Sequence, residues 1–300
     1  MVFVGHFLSV WGHEITDNLK HFWFYFDERF SFLKNLKFVY LLDYAHLPPS
    51  ANFLTLLKTI GIPPEKLEII QTPTQFKKVY IPDECFICDL HLNLRRYTKE
   101  YLNLLKRLPK LSPPMFNIQK VYFSRTQYHS PKDFNEITIE KRFKKEGFTI
   151  IYPEKIDFLI ELSILQNCEI FASTTGSVAH NIIFCRCAKV ALFLRKYRDL
   201  NSYQSASNAI GSCFTKDLNI IYIDSALFFN FPKLRYFLYE TPALRRFFNL
   251  PKKLFPFFKY LLFLLWVFDS KFLYKWTLPI RIKLKLRTRL RKILKIQGKR

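Results

Sequence analysis

The sequence predicts an α/β protein of two lobes, each with a parallel sheet, followed by a basic and aromatic helical tail. Apolar segments of strand length alternate with segments of helical spacing in two successive blocks of the chain. Because 49% of its 300 residues are hydrophobic, the chain can bury a large core. The composition changes near the C-terminus, where most of the net charge of +23 lies. We therefore expect lobes at residues 1–112 and 113–230 and the tail at 231–300.

The first block reads as strand, helix and strand. Residues 36–43 (LKFVYLLD) form a β-branched and aromatic run of strand length, and residues 52–59 have helical spacing that ends before Gly61. Further strands are predicted at 67–70 and 77–81. The first ten residues lack the basic and apolar regions of a signal peptide, so we expect no export signal.

The second block alternates more regularly. Strands are predicted at 120–123, 148–152, 169–172 and 190–194, with helices between them at 137–146, 157–166 and 177–184. Apolar strands joined by helices favour a doubly wound parallel sheet covered on both faces. Ligands of such sheets bind beyond the carboxyl ends of the strands, so the loops that follow the strands are the first candidates for a site.

One of these loops suits a phosphate. The residues after strand 169–172 are small, and they lead directly into a helix: Ser173, Thr174, Thr175, Gly176 and Ser177. Small residues let the backbone approach a ligand closely, and the unpaired amides at a helix start favour an anion. An ordinary helix cap is the alternative interpretation.

Two other loops carry charged side chains. Arg125 follows Ser124 after strand 120–123, and a guanidinium can form paired hydrogen bonds with phosphate oxygens. A surface ion pair with Glu136 is the alternative. Glu154 follows strand 148–152, where its carboxylate can accept from a ribose hydroxyl or simply face solvent.

The order of these elements resembles glycosyltransferase family 61. The resemblance covers 120–194 and rests on Ser124 and Arg125, Asn135 and Glu136, Gly147 and Phe148, Pro153 and Glu154, and Gly176, Ser177 and Asn181. Three positions depart from the family's pattern. Phe134 stands where an Arg is common, Glu161 where Gln is usual, and Thr175 where His is frequent.

A second part of the resemblance lies near the N-terminus. His13 and Asp17 are similar to the family's His-x-x-x-Asp/Glu segment. A spacing of four places both side chains on one face of a helix, and either can take a proton from an acceptor hydroxyl. A His-Asp surface pair on an amphipathic helix is the alternative.

The resemblance implies two Rossmann-like lobes in the GT-B arrangement and an inverting, metal-independent transfer of a hexosyl or pentosyl group from a nucleotide sugar. Asp17 or His13 is the implied general base. The implied donor site comprises Ser124, Arg125, Asn135, Glu136, Glu154, Thr175, Gly176, Ser177 and Asn181. In this interpretation Arg125 and the amides of Gly176 and Ser177 hold the diphosphate, and Glu154 orients the nucleotide.

No cofactor is expected besides the donor substrate. The six cysteines show neither the density of a secreted disulfide scaffold nor the paired spacing of a zinc ribbon, which favours a reducing cytoplasm. Cys85 and Cys88 form a single C-x-x-C without the second pair that a zinc site needs, so we favour a buried strand there. The histidines outside the His13–Asp17 segment give no metal-ligand spacing on one element.

The tail predicts contact with an anionic membrane. Residues 251–300 carry 15 Lys or Arg against the single acid Asp269. The apolar window 260–268 (YLLFLLWVF) is shorter than the ~20 residues of a spanning helix, whereas aromatic residues interleaved with bases suit an interfacial segment, with 281–300 attracting anionic lipid. We expect a peripheral enzyme on the cytoplasmic face of the cell membrane that extends a capsule or lipopolysaccharide glycan. A solvated terminal helix is one alternative. A non-catalytic protein that binds nucleic acid through this tail is another, less favoured because it leaves the three polar loops unexplained.

Overall fold

A computed structural model of the chain describes residues 1–42, 47–89, 94–112, 118–128, 133–194, 202–215, 217–229 and 235–268. The basic segment 281–300, on which the predicted lipid attraction depends, lies outside these residues. No helix within the described ranges is long and apolar enough to cross a membrane.

The first half of the chain forms a parallel three-stranded sheet in the order β1-β2-β3. Its elements are β1 (Val2–Phe7), α1 (Trp11–His13), β2 (Phe38–Leu42), α2 (Ala51–Thr59) and β3 (Leu67–Ile69). Between α1 and β2 the chain continues through a wide helical turn at Glu14–Asn18 and two 3₁₀ segments at Leu19–Phe26 and Glu28–Asn35. An antiparallel hairpin and a helix complete this half: β4 (Phe86–Asp89), β5 (Leu94–Tyr97) and α3 (Lys99–Leu105).

The predicted strands 36–43 and 67–70 and the helix 52–59 are confirmed, whereas the strand predicted at 77–81, at the edge of this sheet, is wrong. The segment 77–81 pairs with β1 only around Tyr80, which exchanges backbone hydrogen bonds with Met1 and Phe3, so it does not form a strand. β1 itself was not expected. Gly5 lies in its middle at φ +97° where the register slips, and this interruption hides the strand in the sequence.

The second half contains a five-stranded sheet, entirely parallel, in the order β11-β10-β9-β6-β8. Its elements are β6 (Lys120–Phe123), α4 (Glu136–Lys145), β8 (Thr149–Ile151), α5 (Phe158–Asn167), β9 (Ile170–Thr174), a 3₁₀ helix at Ser177–Phe184, β10 (Val190–Leu194), α6 (Ser202–Phe214) and β11 (Asn219–Ile223). The predicted doubly wound sheet is confirmed, with most element ends within two residues. β9 extends to Thr174, so Ser173 and Thr174 belong to the strand and not to the loop as expected.

A small mixed sheet and two helices follow. β7 (Asp133–Phe134) pairs with β13 (Arg235–Leu238), which also pairs with β12 (Ala226–Phe229), and the described part of the chain ends with α7 (Pro242–Phe247) and α8 (Phe257–Phe268). α8 packs Phe263 and Val267 against this sheet. The predicted apolar window 260–268 is therefore a helix.

The two parallel sheets share one continuous hydrophobic core, which includes Phe7 and Phe38 from the first half and Phe123 and Phe171 from the second. At the junction the Trp11 ring packs edge-on against Phe158, with the ring centroids 5.2 Å apart. The core therefore fixes α1, near the end of β1, against the helices of the second sheet.

Candidate functional site

The helical turn after α1 presents the predicted base. His13 Nδ1 lies 2.6 Å from Asp17 Oδ2, and these side chains are 49% and 25% exposed. The prediction that a spacing of four brings the two side chains together is confirmed. The Lys20 ammonium lies 3.9 Å from Asp17 Oδ1, so the carboxylate has a cation on its second side.

The opposite face of this turn is anchored in the core. Glu14 is fully buried and accepts hydrogen bonds from the backbone amide and the hydroxyl of Ser50, both at 2.6 Å. Burial raises the pKa of Glu14, and the two Ser50 bonds partly oppose that rise. Tyr97 and Tyr101 donate to the carbonyls of Thr16 and Ile15. Such anchoring holds the turn rigidly while His13 and Asp17 face solvent.

The helix α1, just before this turn, touches the Gly-Ser loop of the second half. A Cβ added at Gly12 would lie 2.9 Å from Ser177 Oγ and 3.0 Å from Ser177 Cα. Gly176 is exposed at φ +117° and Ser177 is half-buried. The structure thus brings the predicted base and the predicted phosphate loop together. Because Gly12 and Ser177 lie far apart in the sequence, only the fold brings them into contact.

Asn181 connects the two halves. Its Oδ1 accepts a 2.7 Å bond from Trp11 Nε1, and its Nδ2 donates a 2.8 Å bond to Glu161 Oε1. Burial raises the pKa of Glu161 to about 8, and the charge of Glu154 adds to that rise while the Asn181 bond opposes it. Asn181 therefore positions Trp11, and with it the start of the helix that carries His13. A donor contact by Asn181 stays a prediction.

At the end of β6, the loop is organised around Glu136. Its Oε1 accepts from the Tyr122 hydroxyl at 2.9 Å and from the Arg125 backbone amide at 3.0 Å, and Oε2 has no hydrogen-bond partner among the described residues. Burial, and then the charge of Asp133, raises the pKa of Glu136 to about 7. The Arg125 guanidinium, half-buried, lies over the Tyr128 ring at 4.9 Å and not on Glu136. Glu136 fixes the loop through the Arg125 amide, and the charge of the guanidinium partly opposes the rise in the pKa of Glu136.

Two other predicted donor residues also use their side chains to fasten loops. Ser124 is buried and donates to Glu140 Oε2 at 2.8 Å. Asn135 has a left-handed backbone, φ 67°, and donates through Nδ2 to the Leu238 carbonyl at 2.7 Å. Both bonds point into the protein, so the sequence pattern at these positions stabilises the loop conformation.

The remaining predicted residues differ in exposure. Glu154 is exposed in a short turn after β8, and Thr175 is buried with its amide bonded to the Leu194 carbonyl at 3.0 Å. Two neighbours that the sequence placed in the loop, Ser173 and Thr174, belong to the end of β9. The hydroxyls of Ser173 and Thr174 are buried and have no hydrogen-bond partner within the described ranges.

The buried strand expected at Cys85 and Cys88 is only partly found, because Cys85 is buried just before β4 whereas Cys88 in β4 is exposed. All six cysteines lie in described ranges and are free thiols, with Cys85 donating to the Lys20 carbonyl while Cys88 is exposed. Burial lowers the pKa of His180 to about 4, and its Nδ1 lies 2.9 Å from Ser207 Oγ. Across the described parts of the chain, no group of three or more His, Cys, Asp or Glu side chains is arranged to hold a metal ion.

One comparison with known proteins identifies the family of the chain. The family profile described as glycosyltransferase 61 matches residues 11–192, which is more than half of the chain. The matched segment begins at Trp11, ends inside β10 and contains every residue predicted for the site. No curated protein matches the sequence. Membership in this family implies, in general terms, a nucleotide-sugar donor and a glycan acceptor. The chain belongs to glycosyltransferase family 61 and is a glycosyltransferase.

Proposed function

We propose that the chain is an inverting, metal-independent glycosyltransferase of the GT-B arrangement that moves a hexosyl or pentosyl group from a nucleotide sugar to a glycan. The observation that carries the proposal is the contact between Gly12 and Ser177, which places the His13–Asp17 pair beside the Gly-Ser loop. The two parallel sheets supply one of these elements each, as a donor cleft between two lobes requires.

Asp17 acts as the general base in this proposal. The acceptor hydroxyl gives its proton to the Asp17 carboxylate, and its oxygen forms a bond to the anomeric carbon from the face opposite the leaving group. The bond between that carbon and the diphosphate oxygen breaks, and its electron pair leaves with the diphosphate. His13, 2.6 Å from Asp17, holds the carboxylate in position.

The second half stabilises the leaving group. The 3₁₀ helix makes its first bond from the Ala179 amide to the Gly176 carbonyl, so the amides of Ser177 and Val178 precede the bonded ladder and can face an anion. The Arg125 guanidinium adds charge beside the neighbouring strand. These groups stabilise negative charge as it develops on the diphosphate.

The acceptor is a surface glycan on a lipid carrier, at the cytoplasmic face of the cell membrane, in capsule or lipopolysaccharide assembly. Support comes from the outer face of α8, where Phe257 and Phe258 are each 69% exposed and Leu261 and Leu265 are also exposed. An exposed apolar stripe on a terminal helix suits the interfacial region of a bilayer, and the basic residues that follow suit anionic lipid. Nucleic acid is not the partner in this proposal.

Two variants of the base test the chemistry. The donor is first identified by a thermal-shift screen of nucleoside diphosphates and their sugars, because a ligand of the native state raises the melting temperature. Asp17→Asn is expected to reduce turnover by about 10² to 10⁴ while the donor affinity stays nearly unchanged, and His13→Gln is expected to be milder. Asp217→Asn, an exposed acid elsewhere, is the matched control.

The outcomes separate the possible bases. An active Asp17→Asn enzyme with an inactive His13→Gln enzyme would assign the base to His13, and two active variants would move the base out of this turn. The anomeric configuration of the product, read by NMR, tests inversion. Turnover that survives EDTA supports the metal-independent route, whereas turnover lost to EDTA and restored by a divalent cation contradicts it.

A further inference from the structure

A cleft of about 520 Å³ lies beside Asp17, and the donor-site residues do not line it. Three parts of the first half form its walls: β1, the helical segment after it, and residues 81–84. Asp17 and Lys20 line it from the helical segment, His6 from β1, and Glu84 from the third wall. The same carboxylate that receives the acceptor proton in the proposed reaction therefore faces this cleft.

We propose that this cleft is the acceptor subsite and that it holds an uncharged sugar with one hydroxyl at Asp17. This inference rests on the proposed function and deepens it. Asp17 lies five residues after Gly12, on the same short helical stretch, and Gly12 touches the Gly-Ser loop. An acceptor in the cleft and a donor at the loop would thus meet beside this stretch, with the acceptor hydroxyl at Asp17.

The lining has the chemistry of a sugar site. Phe3 and Ile81 offer apolar surfaces for the C–H face of a pyranose ring, while carboxylates and imidazoles offer hydrogen bonds to its hydroxyls. Burial lowers the pKa of His21 to about 4, so near neutral pH its uncharged ring has one donor and one acceptor nitrogen. His21 is held in place by Gly5, where a Cβ would lie 2.8 Å from His21 Nε2.

The charges select against acidic sugars. Asp17, Asp83 and Glu84 line the cleft, and Lys20 is the one ammonium among its lining residues. Glu84 Oε2 bonds the Lys20 ammonium at 2.7 Å, so that charge is already compensated. The cleft keeps an excess of negative charge, which repels a uronic acid or a sugar phosphate and accepts a neutral polyol.

The volume of a cleft does not by itself identify the acceptor subsite. A larger cleft of about 710 Å³ lies between Trp23 and α3, and it is lined by charged residues that include Arg29, Glu100 and Arg107. None of the residues predicted for donor binding or catalysis lines it. The smaller cleft is preferred because it contains Asp17.

The test is saturation-transfer NMR of the full-length protein with methyl β-D-glucopyranoside, methyl β-D-galactopyranoside and methyl β-D-glucuronide. Ile81 is 74% exposed at the rim, so Ile81→Trp obstructs the cleft without disturbing the core. We expect this variant to weaken binding of the uncharged glycosides by about tenfold, near 1.4 kcal/mol. Ile87→Trp, an exposed isoleucine of the same half outside the cleft, is expected to bind as the wild type does.

A second variant tests the charge selection. Asp83→Asn is expected to strengthen glucuronide binding relative to glucopyranoside binding. The inference is overturned if the wild type binds no glycoside, if Ile81→Trp binds all three like the wild type, or if the wild type prefers the glucuronide. A nucleotide-induced thermal shift, measured on the same protein, distinguishes failure of the acceptor subsite from failure of the proposed function. If nucleotides raise the melting temperature, those results refute only the acceptor subsite. If they do not, the proposed transferase site itself is refuted.

Discussion

Replacing Glu161 by Gln is expected to stabilise the protein by an amount that grows with pH. Glu161 is 2% exposed, and its hydrogen bond from Asn181 is charge-assisted only when the carboxyl is ionised. Burial raises the pKa of this carboxyl to about 8, above its ordinary value of 4.5. At neutral pH the folded protein therefore holds a proton that the unfolded chain has released.

The sign of the pH dependence follows from proton counting. Between pH 4.5 and about 8 the folded state binds more protons at Glu161 than the unfolded state, so the free energy of unfolding falls as the pH rises through that window. Below pH 4.5 both states are protonated, and above about 8 both are ionised, so the contribution becomes constant. One pKa unit corresponds to about 1.4 kcal/mol. The free energy of unfolding of the wild-type protein is therefore lower by about 3 kcal/mol at pH 7 than it would be if Glu161 did not titrate.

A Gln at position 161 has no carboxyl to titrate, and its side chain has nearly the same shape as that of Glu. Its amide oxygen can still accept from Asn181 Nδ2, so the link to Trp11 remains. The difference in unfolding free energy between Glu161→Gln and wild type is expected to be near zero at pH 4 and about 3 kcal/mol in favour of the variant at pH 7. This stabilisation should appear without any change in the donor-induced thermal shift.

Urea unfolding at pH 4, 5, 6, 7 and 8, followed by tryptophan fluorescence, measures the difference directly. Glu28→Gln is the matched control, since Glu28 is exposed and does not contribute to the pKa of Glu161, so its removal should change stability little. A difference between Glu161→Gln and wild type that stays constant from pH 4 to pH 8 would refute the argument, because no proton would then be linked to folding at this site.

Three further predictions concern the donor loop, the contact between the halves and the tail. Arg125→Lys is expected to weaken nucleotide binding by about tenfold with unchanged stability, because a Lys cannot form the paired bonds of a guanidinium. Equal affinities of variant and wild type, measured by calorimetry, would show that Arg125 does not bind the donor. Gly12→Ala is expected to reduce turnover more than donor affinity, since its Cβ would push against Ser177, and full turnover would show that this contact does not align the site. Deleting residues 269–300 should release the protein from anionic liposomes while sparing nucleotide binding, and α8 stays in place because Phe263 and Val267 pack on the small sheet. Persistent sedimentation with the liposomes would place the anchor in α8 or elsewhere in the remaining chain. Tight RNA or DNA binding by the intact chain that the deletion abolishes would favour the nucleic-acid alternative.

The sequence predicted the second sheet better than the first, for a physical reason. Buried parallel strands such as β6 and β10 are continuous apolar runs bounded by polar loops, so their ends can be read directly. β1 is interrupted by Gly5 and His6, and it pairs with a segment 77–81 that joins it only around Tyr80. Strand pairing of that kind depends on distant backbone groups, which a local pattern does not contain.

The sequence suggested candidate residues for the site, but it did not predict the long-range contacts that bring them together. The His13–Asp17 contact follows from helical spacing alone. The contact of Gly12 with Ser177 and the bond between Trp11 and Asn181 join residues more than a hundred positions apart, and they arise only when the two sheets share a core. The cleft beside Asp17 has no signal in the sequence, because its three walls come from separate segments.

The family pattern in the second half mainly specifies loop conformation. Glu136 fixes the Arg125 amide, and Ser124 and Asn135 bond groups inside the protein, so these side chains shape the loops that follow β6 and β7. Two kinds of group do not take part in these bonds and can contact a ligand. They are the Arg125 guanidinium and the amides at the start of the Gly-Ser helix. Replacing a loop-fixing residue should therefore lower stability together with binding, whereas replacing Arg125 should lower binding alone. That distinction separates residues that hold the site from those that touch the donor.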